Sequence, residues 1–226
     1  MSSGRDTSAR GPHRTTVALV GVTLAACVVL AGCGTSPSVT TTTKPPATTT
    51  TTLTPAQLAV LQPKLLTTDQ FPTGWTLDTA PGAASTKGTP ACVAAVATAR
   101  GSVTRANAVF LGPKSAPAAI QTVASFAPGQ AKKSARSLRT EFLSCNGGTL
   151  QQAGQSIRVS VGAISIGPTG DAGFAAEMAL SAGSQKAYLY VFFAVKGDYA
   201  TFLGWQTDTA STTLFAQMAA KALAKL

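Results

Sequence analysis

The sequence KAYLYVFFAVKGDYATFLGWQ, residues 186–206, specifies the centre of the fold. Two apolar runs rich in aromatic and β-branched residues, 186–195 and 199–206, are separated by Gly197-Asp198. A pair of this kind between two such runs is typical of a two-residue hairpin turn. The stretch therefore predicts two long antiparallel strands that follow each other directly.

Pairing across this turn fixes which side chains lie opposite one another. One side of the hairpin carries Tyr190 opposite Trp205, and the other side carries Phe193 opposite Phe202. Because both sides are apolar, we expect both to be covered, one of them by helices. The other side, with Tyr188, Tyr190 and Trp205, is either ordinary core or the lining of a cleft that contacts lipid or glycan.

The clearest helix is predicted at residues 130–145. Ala131, Ala135, Leu138 and Phe142 recur at helical spacing, and Cys145 continues the same stripe. Residues 118–126 favour either a helix or a strand, and their β-branched residues lead us to predict a strand. The remaining predictions are helices at 54–65, 90–99 and 208–226, and strands at 75–78, 103–111, 157–166 and 174–180. This order predicts an α+β fold, a mostly antiparallel sheet with helices packed against it.

The first and last helices carry recognisable end signals. Thr54-Pro55 supplies an N-cap followed by a proline at the first helical position, and Pro63 kinks or splits that helix. At the other end of the domain, Asp208 or Thr209 is expected to cap a helix that continues to residue 226. The side chains expected to face inward from this last helix are Leu214, Met218 and Leu223.

Two cysteines, Cys92 and Cys145, lie in the predicted domain, 53 positions apart. In an oxidising compartment an even pair indicates one disulfide. The alternative is a redox or nucleophilic cysteine, which usually has a second cysteine in a CxxC motif or a histidine beside it. The sequence after Cys33 contains neither, so we predict the disulfide.

The amino-terminal residues have the pattern of an export signal. Arg5, Arg10 and Arg14 precede an apolar run at 17–31, and Leu30-Ala31-Gly32-Cys33 follows the form of a bacterial lipobox. An uncleaved transmembrane helix is the alternative, but 15 residues fall short of the roughly 20 that span a bilayer. We predict a signal peptide at 1–32, lipid on Cys33, and a location on the extracytoplasmic face of the cell membrane.

The next segment, 34–53, consists mainly of threonine and proline. With almost no apolar side chains it cannot offset the entropy cost of ordering, so we predict a disordered stalk from Cys33 to residue 53. A single α+β domain at 54–226 then follows. Its 173 residues are enough for one sizeable core.

The chain is basic, with 18 Lys and Arg against 8 Asp and Glu. Part of this charge lies on the predicted helix at 130–145, where Lys132, Lys133, Arg136 and Arg139 form a basic ridge. The ridge is either a solvated helix face or a contact with anionic lipid or acidic wall polymer. For an exported protein, we expect these partners rather than nucleic acid.

Residue types exclude several catalytic systems. The only histidine, His13, precedes Cys33, so histidine-dependent nucleophile systems and histidine-ligated metal sites are ruled out after cleavage. Neither an SxxK nor a phosphate-binding GxxxxGK[ST] motif occurs. A carboxylate pair remains open, because Glu141, Glu177 and five aspartates are retained. We expect no enzyme, no cofactor and no metal.

Three pieces of the sequence resemble a known group: LLTTDQFPTGW at 65–75, VASFAPGQA at 123–131 leading to FLSC at 142–145, and the long paired strands before a final helix. They are similar to exported actinobacterial lipoproteins related to the extracellular sensor domains of PknH-type serine/threonine kinases. Such sensor domains typically carry two disulfides, whereas this chain has cysteines for one. A rival resemblance is to small lipoproteins with a Mog1/PsbP-like α+β sandwich.

Both resemblances imply a binding or interaction domain. We therefore expect a non-catalytic, lipid-anchored, sensor-like domain that binds a lipid or glycan at the cell envelope. The alternatives are a regulatory partner of an envelope protein that acts without a pocket and, third, a carboxylate-dependent hydrolase.

Overall fold

The computed structural model describes residues 54–78, 91–113, 117–152 and 155–226. The predicted signal peptide, Cys33 and the stalk lie outside the described residues, as does the predicted start of the second helix. The helices are α1 (Pro55–Leu61), α2 (Ala91–Ala97), α3 (Gln130–Leu143) and α4 (Thr213–Ala224), with 3-10 turns at Gln62–Lys64 and Thr68–Gln70. The strands are β1 (Thr76–Leu77), β2 (Thr104–Leu111), β3 (Ala118–Ser125), β4 (Thr149–Gln152), β5 (Gln155–Ala163), β6 (Ala172–Ala182), β7 (Gln185–Lys196) and β8 (Tyr199–Thr207).

The described strands form one antiparallel sheet in the order β1-β2-β3-β8-β7-β6-β5-β4. The predicted hairpin, β7 and β8, lies at its centre. Tyr190 pairs with Trp205 and Phe193 pairs with Phe202, which is the register that the Gly197-Asp198 turn predicts. The strand prediction for 118–126 is also confirmed, because β3 pairs with β8 along its whole length.

Helices cover both faces of the central strands, as the two apolar sides of the hairpin predict. On one face α2 and α3 enclose a core that includes Phe142, Phe193 and Phe202. On the other face α1, the 3-10 turns and α4 enclose a second core that includes Tyr190 and Phe215. The molecule is therefore an α+β fold of three layers, with the sheet in the middle.

The disulfide prediction is confirmed, because Cys92 and Cys145 are bonded with their Cα atoms 6.3 Å apart. Cys92 lies in α2, and Cys145 lies just after the end of α3. The bond ties together the two helices of one layer, which also pack directly against each other.

The start of the last helix differs from the prediction. Thr212, not Asp208 or Thr209, precedes α4 as its N-cap residue. The Asp208 carboxylate accepts a hydrogen bond from the Thr209 hydroxyl, and Thr207 bonds the Thr209 amide, so these side chains stabilise a local turn. Met218, one of the side chains predicted to face inward from the last helix, is buried. Phe215 is also fully buried, although it was not predicted to face inward.

The carboxyl end of β5 and the whole of β4 also differ from the prediction. The strand predicted at 157–166 ends at residue 163, and residues 149–152 form an unpredicted strand against it. Within the described residues, no helix has both the length and the apolar character that crossing a membrane requires.

Candidate functional site

The aromatic residues of the predicted cleft lie mainly inside the core. Tyr190 is 0% exposed and Trp205 is 3% exposed. The Trp205 ring lies 4.7 Å from that of Trp75, and the Tyr190 ring lies 5.5 Å from that of Phe215. For Tyr190 and Trp205, the packing matches the ordinary-core interpretation. Tyr188 is only partly buried.

Strand β5 has one buried face, against the layer of α2 and α3, and one exposed face on the other side of the sheet. Its alternate residues Ile157, Val159 and Val161 are buried against the layer of α2 and α3. Because successive side chains of a strand point to opposite faces, Arg158 and Ser160 lie on the α4 side. Both are exposed, so α4 does not cover the sheet this far from its centre.

Strands β6 and β7 continue this exposed region toward the core. Arg158 pairs with Ser181, which pairs with Lys186, and Ser160 pairs in the same way with Ala179 and then Tyr188. The third row is Gly162, Glu177 and the buried Tyr190. We call this region the open face; it consists of Arg158, Ser160, Gly162, Glu177, Ala179, Ser181, Lys186 and Tyr188.

The deepest part of the open face is a tyrosine–carboxylate contact. Burial and then the charge and hydrogen bond of Glu177 raise the pKa of Tyr190 to about 12. The Tyr190 hydroxyl therefore stays protonated at neutral pH, beside the Glu177 carboxylate. The Tyr188 ring is stacked on that of Tyr190, with centroids 6.3 Å apart and planes within 9°. Glu177 and Tyr188, both partly buried, are thereby held at the inner edge of the open face.

The open face has the composition of a shallow polar binding surface. Its floor is made of small side chains, and it is flanked by the cations Arg158 and Lys186, the Glu177 carboxylate and the Tyr188 ring. Three strands and three rows give an area of about 10 by 14 Å. A shallow depression adjoins it at Gln155, Ser156 and residues 182–185. Such a surface can hydrogen-bond hydroxyl groups and stack a flat ring.

The basic ridge forms a separate charged surface on α3. Lys132, Lys133, Arg136 and Arg139 are all exposed, and the Lys132 ammonium lies 3.7 Å from the Asp171 carboxylate. The ridge lies on the opposite side of the sheet from the open face, because α3 packs with the first core.

The other carboxylates have local structural partners. Asp198 accepts a hydrogen bond from the Gly129 amide at 3.0 Å, just before α3, and Glu141 pairs with Arg100. The Gly197 amide, followed by Lys132, lowers the pKa of Asp171. Within the described ranges, no group of three or more His, Cys, Asp or Glu residues is arranged to hold a metal ion.

The residue pattern of the aromatic hairpin predicted the candidate site there, and most of the open face was not predicted. Of the three residues predicted to line a cleft, Tyr188, Tyr190 and Trp205, only Tyr188 lies on the open face. A signal for the rest was present at 157–162, where Ile, Arg, Val, Ser, Val and Gly alternate. This alternation is typical of a strand with one exposed face.

The fold and site together define an α+β domain with one covered and one partly open sheet face. No known protein family and no curated protein matches this chain. Among solved structures, it is similar to the extracellular domain of PknH from Mycobacterium tuberculosis. That likeness has a TM-score of 0.51 and 11% identity, and covers 74% of this chain and 94% of the other. It confirms the fold that the PknH resemblance implies.

A second solved structure, from Bacteroides thetaiotaomicron, has a TM-score of 0.34 and 8% identity. The match covers 66% of this chain and 41% of the other. This likeness is too distant to bear on the fold.

Proposed function

We propose that this chain is a lipid-anchored, extracytoplasmic binding domain, sensor-like in fold and non-catalytic, whose open face binds a cell-envelope glycan. The observation that carries the proposal is the open face itself. It is an exposed area of sheet with small side chains at its centre and Arg158, Glu177, Lys186 and Tyr188 around them. The sensor-like fold and the export pattern ending at Cys33 support the location.

The composition of the open face favours a glycan over a lipid. Lipid tails require an enclosed apolar cavity, whereas the open face is shallow and polar. The large rings that would line such a cavity, Tyr190 and Trp205, are packed against other core side chains. A sugar, by contrast, presents hydroxyl groups to the Glu177 carboxylate and the Arg158 guanidinium and a flat apolar ring face to Tyr188.

Truncation of Tyr188 tests this assignment. We expect Tyr188→Ala to weaken binding about two- to tenfold, because stacking on an aromatic ring contributes about 0.5–1.5 kcal/mol. Binding is measured by calorimetry against neutral and acidic oligosaccharides released from bacterial cell walls. Tyr199→Ala is the matched control, since it truncates another partly buried tyrosine at the far end of β8.

Two results would count against the glycan proposal. One is equal binding loss in Tyr188→Ala and Tyr199→Ala, which would indicate a general effect on the fold. The other is binding of an envelope protein with no affinity for any oligosaccharide, which would favour the regulatory-partner alternative.

A further inference from the structure

The basic ridge on α3 has more positive charge than its surroundings neutralise. Two acidic side chains near the helix already have partners, since Asp171 pairs with Lys132 and Glu141 pairs with Arg100. Lys133, Arg136 and Arg139 are exposed and have no acidic partner among the described residues. Three cations are therefore free to meet an external anion.

The helix that carries these cations is rigidly held. Ala131, Ala135, Leu138 and Phe142 are all at most 2% exposed, so the apolar side of α3 is fully used in the core. The Cys92–Cys145 bond fixes the end of the helix as well. The ridge thus presents a fixed row of charges, and α3 has no apolar face left to insert into a bilayer.

We propose that the ridge docks on the anionic phospholipid headgroups of the membrane to which the chain is tethered. This inference rests on the proposed lipid anchor at Cys33. Charge complementarity supports this occupant, because each Lys or Arg near an anionic leaflet strengthens binding about fivefold. The anchor also keeps the domain close to that leaflet, which raises the effective concentration of headgroups.

The length of the tether fits this orientation. Thr54 lies at the start of α1, in the layer opposite α3. Three layers of helix, sheet and helix are roughly 30 Å thick. The 20 residues from 34 to 53 span about 25 Å as a coil and about 65–70 Å when extended. They can therefore reach from the bilayer to Thr54 while α3 rests on the headgroups.

Docking through α3 also orients the candidate glycan site. The open face lies on the α4 side of the sheet, so it would be directed away from the bilayer and toward the cell wall. Membrane contact and glycan binding would then occur on opposite sides of one rigid sheet.

Vesicle sedimentation tests the proposal with the chain from Gly34 onward, which keeps all of the described core and carries no lipid. We expect this chain to bind vesicles of two parts phosphatidylcholine and one part phosphatidylglycerol, and not vesicles of phosphatidylcholine alone. Binding should weaken with added salt, because surface charge is screened. The assay does not depend on the anchor, so its outcome is independent of whether Cys33 is lipidated.

Matched charge reversals locate the contact. R136E/R139E should reduce vesicle binding at least 25-fold, because each of the two lost cations contributes about fivefold. R136K/R139K keeps both charges, so its binding should stay within about threefold of that of the unmodified chain. R158E/K186E changes the net charge by the same amount on the opposite side of the sheet. Its vesicle binding should also stay within about threefold of that of the unmodified chain. Circular dichroism checks that each variant is folded.

Three outcomes would overturn the proposal. The first is the absence of any preference for the anionic vesicles, and the second is an equal loss in R158E/K186E, which would indicate bulk charge. The third is tighter binding to soluble poly(glycerol phosphate) than to the anionic vesicles, which would assign the ridge to a wall polymer.

Discussion

Gln121 is a buried polar side chain that connects the amino-terminal segment to the sheet. It is 0% exposed, and its carbonyl oxygen accepts a hydrogen bond from the Leu66 amide at 2.6 Å. Its side-chain amide donates to the Thr201 hydroxyl at 3.0 Å and to the Lys64 carbonyl at 3.4 Å. One residue of β3 thereby satisfies backbone groups of a segment that has no strand partner there.

Replacing this side chain should destabilise the domain. Gln121→Leu leaves the buried Leu66 amide without an acceptor, and one such orphaned group costs about 1–3 kcal/mol. We expect the free energy of unfolding in urea to fall by about 2 kcal/mol. Gln217→Leu, on the exposed side of α4, is the control and should change it by less than about 0.5 kcal/mol. Similar values for the two variants would show that the Gln121 hydrogen bonds contribute little.

Helices α2 and α3 depend on each other and on the disulfide. The described α2 has only seven residues, which is too short to be stable as an isolated helix. At the end of α2, the Ala97 carbonyl accepts a hydrogen bond from the Thr122 hydroxyl of β3, which holds this end of the helix on the sheet. The Cys92–Cys145 bond holds the other end to α3.

Removal of the disulfide should therefore have a large effect. The bond closes a loop of 53 residues, for which the chain-entropy relation gives about 4 kcal/mol. We expect Cys92→Ala/Cys145→Ala to lose about 2–4 kcal/mol of unfolding free energy in urea. Reductant should destabilise the unmodified chain to a similar extent and leave the double variant unchanged. A reductant effect below about 1 kcal/mol in the unmodified chain would contradict this account.

The two ends of the described domain pack together in one layer. The Lys225 ammonium donates to the Leu65 carbonyl at 2.7 Å, and the Lys64 ammonium donates to the Leu226 carbonyl at 3.2 Å. Helix α4 and the segment after α1 are joined by these contacts. Thr54, at the start of α1, lies in this same layer, which sets the attachment point of the proposed tether.

The proposed anchor predicts a change in the location of the whole protein. Cys33→Ser removes the thiol that would carry the lipid, so the protein should leave the membrane fraction of cells and metabolic labelling with a fatty acid should be lost. Cys27→Ser is the control, because Cys27 precedes the proposed cleavage point and its loss should leave labelling unchanged. Persistent fatty-acid labelling of Cys33→Ser would contradict the anchor.

Local patterns were sufficient to predict the hairpin and the α+β class. The Gly197-Asp198 turn and the flanking apolar runs fix the register of β7 and β8, because pairing across a two-residue turn depends only on neighbouring residues. The spacing of Ala131 to Phe142 likewise identified α3, and the even pair of cysteines indicated the Cys92–Cys145 bond. Short strands such as β4 were missed, because four residues carry too little periodic signal.

The open face was set by the tertiary structure. Helix α4 has 12 residues and is about 18 Å long and 10 Å across, so it covers only about two of the eight strands in the described part of the chain. Which strands it covers depends on the packing of Phe215 and Met218 against β7 and β8, contacts between residues distant in sequence. The same packing buries Tyr190 and Trp205 and leaves Tyr188 at the edge. The sequence therefore determined which residues form strands and helices, whereas long-range packing decided which polar residues of the sheet remain exposed to a ligand.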